Sequence, residues 1–338
     1  MNINIILCIL FILIICTYYI NNFLNVKEGI IFTKDYFLDK YEKDGITIDK
    51  LNFILEKDGK KINYKKINYK KINNYNKKYK YVNDKFKIKE LYKRNSIPIP
   101  NYYKWDPTTS SEENIININK NIIFPLVVKP IIGEKGYGVK TDITNNDELI
   151  NHVSELLSSN NDVLIEQQVT GKEYRIMVLN DVIIGITQKI PPFIIGDNIH
   201  SISELINILN NTKEREYRIH TPDISYIKKQ GFNMSSILPI GKKIVITNVA
   251  NMSNGSSLEY IDINKVHIDN ISLFKKINNV LGLKLSGIDY ICDNLQTPYY
   301  MNGYVIEVNS RPGFGIHYNI TPDSKKEKLL DSLLNILF

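Results

Sequence analysis

Residues 127–139, VVKPIIGEKGYGV, constrain the fold of this chain more than any other segment. The apolar first half predicts a buried β-strand, and that strand carries Lys129. Gly133, Gly136 and Gly138 follow, and glycines let a loop turn several backbone N–H groups toward one anion. The spacing matches neither the P-loop nor the dinucleotide GxGxxG motif. The segment therefore predicts a buried strand followed by a candidate phosphate-binding loop. The alternative is a purely structural hairpin, which is the more common role of a glycine-rich segment taken alone.

Three oxygen-bearing side chains lie on two predicted strands near the C-terminus. Asp289 lies in SGIDYI, and Glu307 and Asn309 lie two residues apart in VIEVNS, so both project from one face of their strand. If the two strands are neighbours, the three side chains meet, and hard oxygen ligands of this kind suit Mg²⁺. The alternative is that the carboxylates are solvated caps of strand ends. Because the flanking residues are apolar, an unpaired charge there is costly, which favours a metal site.

The hydrophobic pattern of the remaining body predicts a mixture of hairpins, strands and helices. Helices are predicted over residues 84–94, 147–157, 202–210, 273–281 and 325–336, and strands over 122–130, 162–166, 243–247, 286–291 and 304–308. A hairpin is predicted from 174–179 and 182–187 around Asn180-Asp181. This mixture predicts an α+β (α/β) fold with layers of helices on sheets and no strictly alternating parallel sheet.

Residues 5–20 form an apolar run without charge, and Tyr18, Tyr19 and the apolar residues that follow extend it toward the roughly 20 residues that span a bilayer. We predict a membrane anchor over residues 1–26. No Lys or Arg precedes the run and no small-x-small site follows it, which disfavours a cleaved signal peptide. A buried core helix is the other alternative. Lys27 and Lys34 lie just beyond the run, so the body of the chain is expected to face the cytoplasm.

The net charge of +7 arises locally. Residues 57–93 are rich in Lys and Tyr and contain the repeat KKINY-KKINY-KKINN. Such a run can follow a phosphate backbone or an anionic membrane surface, but a solvated low-complexity connector on a surface hairpin or loop is the favoured interpretation. With an anchor upstream, lipid headgroups fit better than RNA, so nucleic acid is disfavoured as a partner. The three cysteines provide no disulfide framework.

A series of motifs occurs in an order that resembles the ATP-grasp superfamily. The series is DKFKIKEL, IPIP, VVKP…GEKGYGV, VLIEQQVTGKEYRIMV, SGIDYI and YVIEVNSRPGFGIH. The stretches IPPFIIGDNIHSISELI, QGF…ILPIGKKIVI and VANMSNGSS look like the ATP-grasp module of cyanophycin synthetase and of bifunctional glutathione-forming ligases. The resemblance covers residues 81–338. It implies two α+β subdomains that grip a nucleotide, with a hinge near 166–170, after a lead segment at 27–80.

The resemblance implies a nucleotide site and a metal site. The residues implied to bind ATP are Lys89, Lys129, Gly136, Gly138, Glu166, Gln168, Val169 and Glu173. Lys89 and Lys129 match the phosphate lysines, residues 166–169 match the hinge whose backbone holds the adenine, and Glu173 matches the ribose ligand. Asp289, Glu307 and Asn309 match the ligands of two Mg²⁺ ions, with Mn²⁺ as an alternative ion.

The implied activity is that of an ATP- and Mg²⁺-dependent ligase that forms a carbon–nitrogen bond through an acyl phosphate. The expected substrates are a carboxylate, of an amino acid or peptide, and an amine. Arg311 either stabilises an anionic intermediate or holds its own loop, and Lys129 also acts in catalysis. Substrate contacts are implied for Arg175, Lys189, Asn251 and Ser253, whereas His200 is interpreted as structural.

The sequence departs from the family pattern at two positions. Lys189 stands where relatives usually have arginine, and Asn198 stands in place of a glycine. These departures leave open an alternative in which the chain is a membrane-tethered ATP-binding scaffold that has lost turnover.

Overall fold

The computed structural model describes residues 46–49, 54–63, 73, 82–133, 136–213 and 217–337. The apolar run predicted as a membrane anchor lies outside this set, as does much of the lead segment. Among the residues that are described, no helix has both the length and the apolar character needed to cross a bilayer.

The body contains short helices and mostly short strands. The helices are α1 (Lys85–Arg94), α2 (Ser111–Asn119), α3 (Asn146–Ser158), α4 (Ile202–Asn211), α5 (Ile224–Lys229), α6 (Ile268–Leu281), α7 (Tyr299–Asn302), α8 (Gly315–Tyr318) and α9 (Asp323–Leu337). The strands are β1 (Thr47–Asp49), β2 (Ile54–Lys57), β3 (Lys60–Asn63), β4 (Tyr102–Lys104), β5 (Leu126–Pro130), β6 (Lys140–Ile143), β7 (Val163–Gln167), β8 (Lys172–Leu179), β9 (Val182–Ile190), β10 (Phe193–Ile195), β11 (Lys243–Val245), β12 (Ser257–Tyr260), β13 (Leu285–Cys292) and β14 (Gly303–Asn309).

The described strands form antiparallel sheets. One has four strands in the order β4-β7-β5-β6, and one has five in the order β12-β9-β8-β13-β14. Strands β10 and β11 pair with each other, and β1, β2 and β3 form a separate sheet of three. With helices packed on these sheets, the predicted α+β class is confirmed.

Each of the two larger sheets is covered by an amphipathic helix. Leu149, Val153 and Leu156 lie on one face of α3, because they are spaced by four and three residues, and they pack on the four-stranded sheet. Asn145 caps this helix by accepting a hydrogen bond from the backbone of Glu148 at 2.9 Å. Helix α6 covers the five-stranded sheet in the same way. The body therefore contains two larger sheets, each with its own hydrophobic core.

A smaller unit, residues 191–250, lies between β9 and β12 in the sequence. Its core is formed by apolar side chains of β10, β11, α4 and α5 and their connections, including Ile194, Ile206, Ile227 and Ile244. Helix α4 begins with a reciprocal cap between Ser201 and Glu204. We call residues 191–250 the insertion.

Most predicted elements are confirmed, with shifts of a few residues at their ends. The hairpin at Asn180-Asp181 has positive φ angles of 46° and 60° at its two central residues, as a two-residue turn of the primed type requires. The strand predicted over 122–130 was too long, since β5 begins only at Leu126. Ile123 is exposed and Pro125 has no N–H to give to a ladder.

The connector interpretation of the lysine-rich repeat is only partly correct. Lys60 and Lys61 are exposed, as expected for a solvated segment. They lie in β3, the second strand of a hairpin whose turn is formed by Asp58 and Gly59, which agrees with the predicted surface hairpin. Asn73, in the third repeat unit, is fully buried against the body.

Candidate functional site

A buried cluster of two lysines and one glutamate lies between α1 and the four-stranded sheet. The Lys89 Nζ lies 3.0 Å from Glu166 Oε1, and the Lys129 Nζ lies 2.8 Å from the same oxygen. The side chains of Lys89, Lys129 and Glu166 are only 2%, 7% and 3% exposed. One carboxylate therefore faces two ammonium groups, and a buried excess of positive charge is stabilised by binding an anion.

The charge state of the cluster follows from burial and from its mutual ion pairs. Burial lowers the pKa of Lys89 to about 8, although Glu166 opposes this and Lys129 adds to it. Burial by itself raises the pKa of Glu166, but the two lysines hold it below the ordinary value. Glu166 is therefore ionised at neutral pH, and Lys89 is mostly charged.

Sequence reasoning assigned Glu166 a role for its backbone and missed the role of its carboxylate. The register pairs Glu166 on β7 with Val127 on β5, two residues before Lys129. The signal in the sequence is three charged residues within apolar runs, one in IKEL, one in VVKP and one in VLIEQ. Such buried charges are usually paired, so the pairing could have been sought.

The glycine loop turns where the sequence predicts. Gly136 and Gly138 have φ angles of 73° and 67°, in the left-handed region that favours glycine. Lys85, in the first turn of α1, donates a hydrogen bond from its Nζ to the Gly133 carbonyl at 2.7 Å. A His152 ring nitrogen lies 3.1 Å from the Gly138 carbonyl, which ties the loop to α3.

The Gly138→Ala variant is expected to be destabilised by about 1–3 kcal/mol, because a methyl group there overpacks the core beneath the loop. An added Cβ would lie 2.8 Å from Leu156 Cδ2 and 3.2 Å from Pro130 Cδ. Gly136→Ala is the matched control, since its φ is similar but no described atom lies within 4 Å of its added Cβ. Chemical denaturation of both variants measures the difference. Equal losses of unfolding free energy would contradict the packing argument.

The hinge predicted near 166–170 contains Gln168 and the half-buried Val169. The Gln168 backbone N–H donates to the Pro125 carbonyl at 2.9 Å. Its side-chain oxygen accepts from the Asp142 backbone N–H at 2.6 Å, and its amide nitrogen donates to Asp142 Oδ1 at 2.9 Å. Asn248 of the insertion donates to Asp142 Oδ2 at 3.0 Å. Asp142, which the sequence did not single out, thus joins the hinge to the insertion.

The three predicted metal ligands are brought together. Asp289 on β13 pairs directly with Glu307 on β14, and the Asn309 amide nitrogen lies 3.1 Å from Asp289 Oδ2. Glu307 remains partly exposed, and its carboxylate lies 3.9 Å from Lys85 Nζ. Among the described residues, no three His, Cys, Asp or Glu side chains converge as a metal cluster, and the third predicted ligand here is an asparagine.

Asp289 is also held by two cations, one on the adjacent strand β8 and one on β9, the next strand of the sheet. Arg175 Nε and Nη2 donate to Asp289 Oδ1 and Oδ2 at 2.7 and 3.0 Å. Lys189 Nζ lies 3.0 Å from Asp289 Oδ1 and also pairs with Glu173. The contacts follow from register, since Asp289 lies opposite Arg175 and Glu173 lies opposite Lys189. Arg175 and Lys189, predicted as substrate contacts, therefore hold a predicted metal ligand.

Burial and these cations act against each other on the carboxylates. Burial raises the pKa of Asp289 but Arg175 and Lys189 hold it below its ordinary value. Burial raises the pKa of Glu173, and the opposing effect of Lys189 does not fully cancel this. Burial lowers the pKa of Lys189, but Asp289 and Glu173 outweigh it and raise that pKa. Asp289 and Lys189 are thus both charged near neutral pH.

The donor chemistry of this strand pair fits Mg²⁺. Two carboxylates and the amide oxygen of Asn309 are hard oxygen ligands on adjacent strands. Mg²⁺ commonly takes one or two carboxylates from the protein and completes its shell with water and phosphate oxygens. The partly exposed Glu307 leaves its carboxylate accessible to such an ion.

The remaining predicted site residues lie outside β13 and β14. The Asn251 carbonyl accepts from the backbone of Asn254 and Ser256 at 3.0 and 3.3 Å, which closes a turn; the side chain of Ser253 is not among those described. Arg311 is exposed and lies two residues beyond the end of β14. The His200 Nδ1 lies 2.6 Å from Asp197 Oδ2 beside the start of α4, a contact that fits the predicted structural role.

Comparisons with known proteins confirm the resemblance drawn from the motifs. Residues 91–193 match the family described as D-ala D-ala ligase C-terminus. The chain is 27% identical to the cyanophycin synthetase of Synechocystis sp., over 69% of this chain and 28% of that protein. It is 26% identical to the glutathione biosynthesis bifunctional protein GshAB of Clostridium perfringens, over 94% of this chain and 43% of that protein.

A solved structure shows the same fold. A bifunctional glutathione synthetase from Pasteurella multocida superimposes with a TM-score of 0.53 and 18% identity, over 86% of this chain and 41% of that one. The chain thus spans less than half the length of these relatives.

Proposed function

We propose that this chain, which has the ATP-grasp fold, is a ligase that uses ATP and Mg²⁺ to join a carboxylate to an amine. One observation carries the proposal. The Lys85 ammonium contacts both the glycine loop, at the Gly133 carbonyl, and the acidic strand pair, at Glu307. The candidate phosphate-binding loop and one of the hard oxygen ligands therefore both contact one lysine in the first turn of α1, an arrangement that suits binding of a metal-bound polyphosphate.

The residues of this site act by position and charge. Lys89 and Lys129 would neutralise phosphate oxygens, and the glycine loop would direct backbone N–H groups at them. Asp289, Glu307 and Asn309 would hold Mg²⁺, which when bound neutralises charge on the transferred phosphoryl group. The substrate carboxylate oxygen attacks the γ-phosphorus, and the bond from that phosphorus to the ADP oxygen breaks. The amine nitrogen then attacks the acyl carbon, phosphate leaves and the amine loses a proton.

The substrates are proposed to be an amino acid or peptide carboxylate and an amine. Support comes from the names of the relatives, one a cyanophycin synthetase and the other a protein of glutathione biosynthesis. Roles for Arg311, Asn251 and Ser253 beside these substrates remain predictions from the motifs. Attachment of the body to a membrane likewise remains a prediction from residues 5–20.

Trapping with hydroxylamine tests the acyl phosphate. The full chain is incubated with ATP, Mg²⁺, hydroxylamine and pools of amino acids or short peptides as the acids. The proposal predicts an acyl hydroxamate that forms only when ATP, Mg²⁺ and an acid are all present. ADP formation without any hydroxamate from any acid would count against an acyl phosphate intermediate.

A second candidate function is an ATP-binding scaffold without turnover. The pairing of both Asp289 oxygens with Arg175 and Lys189 favours it, since the predicted metal ligand is already satisfied by the protein. The scaffold predicts nucleotide binding that does not depend on Mg²⁺ and no ADP formation with any acid. The ligase predicts that Mg²⁺ tightens ATP binding, which calorimetry with and without EDTA distinguishes.

The catalytic efficiency with ATP is expected to fall above about pH 8. The pKa of Lys89 is lowered from 10.5 to about 8, so the free protein loses this phosphate-binding charge as the pH rises through 8. Well above that pKa, kcat/KM for ATP should decrease about tenfold per pH unit. Lys104→Ala, at an exposed lysine of β4, is the control and should leave the profile unchanged. A flat profile across pH 8 in the unaltered protein would contradict the role of Lys89.

The stability of the fold has the opposite dependence on pH. Because the pKa of Lys89 is lower in the folded than in the unfolded chain, the folded chain binds fewer protons between about pH 8 and 10.5. The contribution of Lys89 to unfolding free energy therefore rises across that window. Loss of activity above pH 8 is thus not a consequence of the titration of Lys89 destabilising the fold.

A further inference from the structure

Asn73, in the third unit of the lysine-rich repeat, makes hydrogen bonds with residues that are far away in the sequence. Its Oδ1 accepts from the backbone N–H groups of Lys284 and Leu285, both at 2.9 Å. Its Nδ2 donates to the Ser310 carbonyl at 3.3 Å. The contacts span more than 200 residues of chain, and the Asn73 side chain is completely buried. The lead segment is therefore fixed to the body at this point.

The contacts of Asn73 lie at one end of the strand pair that carries the proposed metal ligands. Leu285 begins β13, and Ser310 directly follows Asn309, the last residue of β14. At the same end, Gly287 of β13 pairs with Asn309. Asp289 lies four residues beyond Leu285, a distance of about 13 Å along a strand. Asn73 therefore connects the start of one ligand-bearing strand to the end of the other.

The chemistry of this position suits asparagine. The side chain must accept from two backbone N–H groups and donate to one backbone carbonyl, and an amide does both. Leaving such groups buried without partners costs about 1–3 kcal/mol each, so loss of the amide favours separation of the strand ends. Ser310 and the adjoining Asn309 would move with that separation.

We propose that Asn73 is a positioning residue that fixes the end of the β13–β14 pair, so that Asp289, Glu307 and Asn309 keep the spacing needed to bind a divalent cation. The inference rests on the proposed function. It assigns to the third repeat unit a role in the site, carried by its asparagine. The exposed lysines of the first unit, Lys60 and Lys61, take no part in this role.

The test compares three variants of the full chain. Asn73→Ala removes all three hydrogen bonds, and Asn73→Asp keeps the acceptor for Lys284 and Leu285 but loses the donor to Ser310. Lys61→Ala is the matched control, since Lys61 belongs to the same repeat and is exposed with Glu56 as its partner. Binding of Mn²⁺ in the presence of ADP is measured by electron paramagnetic resonance, and ADP binding is measured separately in EDTA.

The expected result is a weaker Mn²⁺ affinity in Asn73→Ala, by about tenfold, since small displacements of a preorganised site cost factors of this order or more. Asn73→Asp should also lose Mn²⁺ affinity, by about threefold or more, because it places a buried carboxylate oxygen against the Ser310 carbonyl in place of the amide donor. ADP affinity in EDTA should not change, since none of the three hydrogen bonds of Asn73 involves the lysine cluster. Hydrogen exchange at the amides of Lys284 and Leu285 should become faster in Asn73→Ala. Lys61→Ala should match the unaltered protein in every measurement.

Two results overturn the inference. If Asn73→Ala exposes the two amides to exchange but binds Mn²⁺ as tightly as Lys61→Ala, the contact is structural only. If Asn73→Ala does not fold, Asn73→Asp decides, and an unchanged Mn²⁺ affinity rejects the positioning role. If the unaltered protein binds neither Mn²⁺ nor ADP, the proposed function itself fails, which is distinct from both results.

Discussion

The Glu307→Gln variant is expected to lose ATP-dependent phosphate release by about 100- to 1,000-fold, with little change in stability. The loss follows because Glu307 would hold the Mg²⁺ ion, and the charge that this ion brings to the transferred phosphoryl group is worth several kcal/mol in the transition state. The stability should change by about 0.5 kcal/mol or less, since Glu307 is partly exposed and its lysine contact is long, at 3.9 Å. Phosphate release and urea denaturation measure the two effects.

Asp289→Asn changes a second proposed metal ligand, and its effects on turnover and stability are compared with those of Glu307→Gln. It should lose turnover to a similar extent and, unlike Glu307→Gln, also lose about 3 kcal/mol or more of unfolding free energy. The difference arises because Asp289 is buried and its removal leaves Arg175 without its carboxylate partner and Lys189 with Glu173 alone. A variant that turns over ATP normally would contradict the proposed metal site. Equal stability of the two variants would contradict the buried ion-pair network.

Glu166→Gln is expected to destabilise the fold by about 3–5 kcal/mol at pH 7, because the change leaves two buried lysines without their shared carboxylate. The two ammonium groups lie 3.0 and 2.8 Å from one oxygen of Glu166. Glu155→Gln is the control, because Glu155 pairs with His152 at 3.0 Å but is mostly exposed, and its loss should cost about 0.5 kcal/mol or less.

Chemical denaturation at pH 7 and at pH 9 tests the cause of this loss. Removal of Glu166 lowers the pKa of Lys89 further, so part of the lost stability should return when Lys89 is neutral. A Glu166→Gln variant as stable as Glu155→Gln would contradict the view that this carboxylate holds two charged lysines.

Features of the fold that depend only on residues close together in the sequence could be predicted. The strand bearing Lys129 and the turn at Asn180-Asp181 are examples, since apolar runs and turn residues act locally. Helix α3 was predictable because its apolar stripe repeats at helical spacing and Asn145 provides a cap. Helix α2 was missed, since SEENIININ alternates isoleucine with asparagine and forms no clear stripe.

The motifs named most residues of the candidate site but not the pairs that these residues form. The motifs named Glu166, Arg175 and Lys189, and the structure brings each of them to a buried charge that the motifs did not indicate. These pairings depend on which strands are neighbours and in which register, and neither is encoded locally. Asn73 is the extreme case, since its partners lie more than 200 residues away and its repeat favours a solvated connector.

The most direct test of the account is whether ADP release requires both an acid and an amine. The full chain is supplied with ATP and Mg²⁺ and with pools of amino acids and short peptides, while ADP and new amide products are followed by mass spectrometry. The account predicts one amide formed for each ADP released, only when both substrates are present, and no product from Glu307→Gln. ATP binding without ADP release from any pool would favour the scaffold, and a chain that binds no ATP would contradict the account.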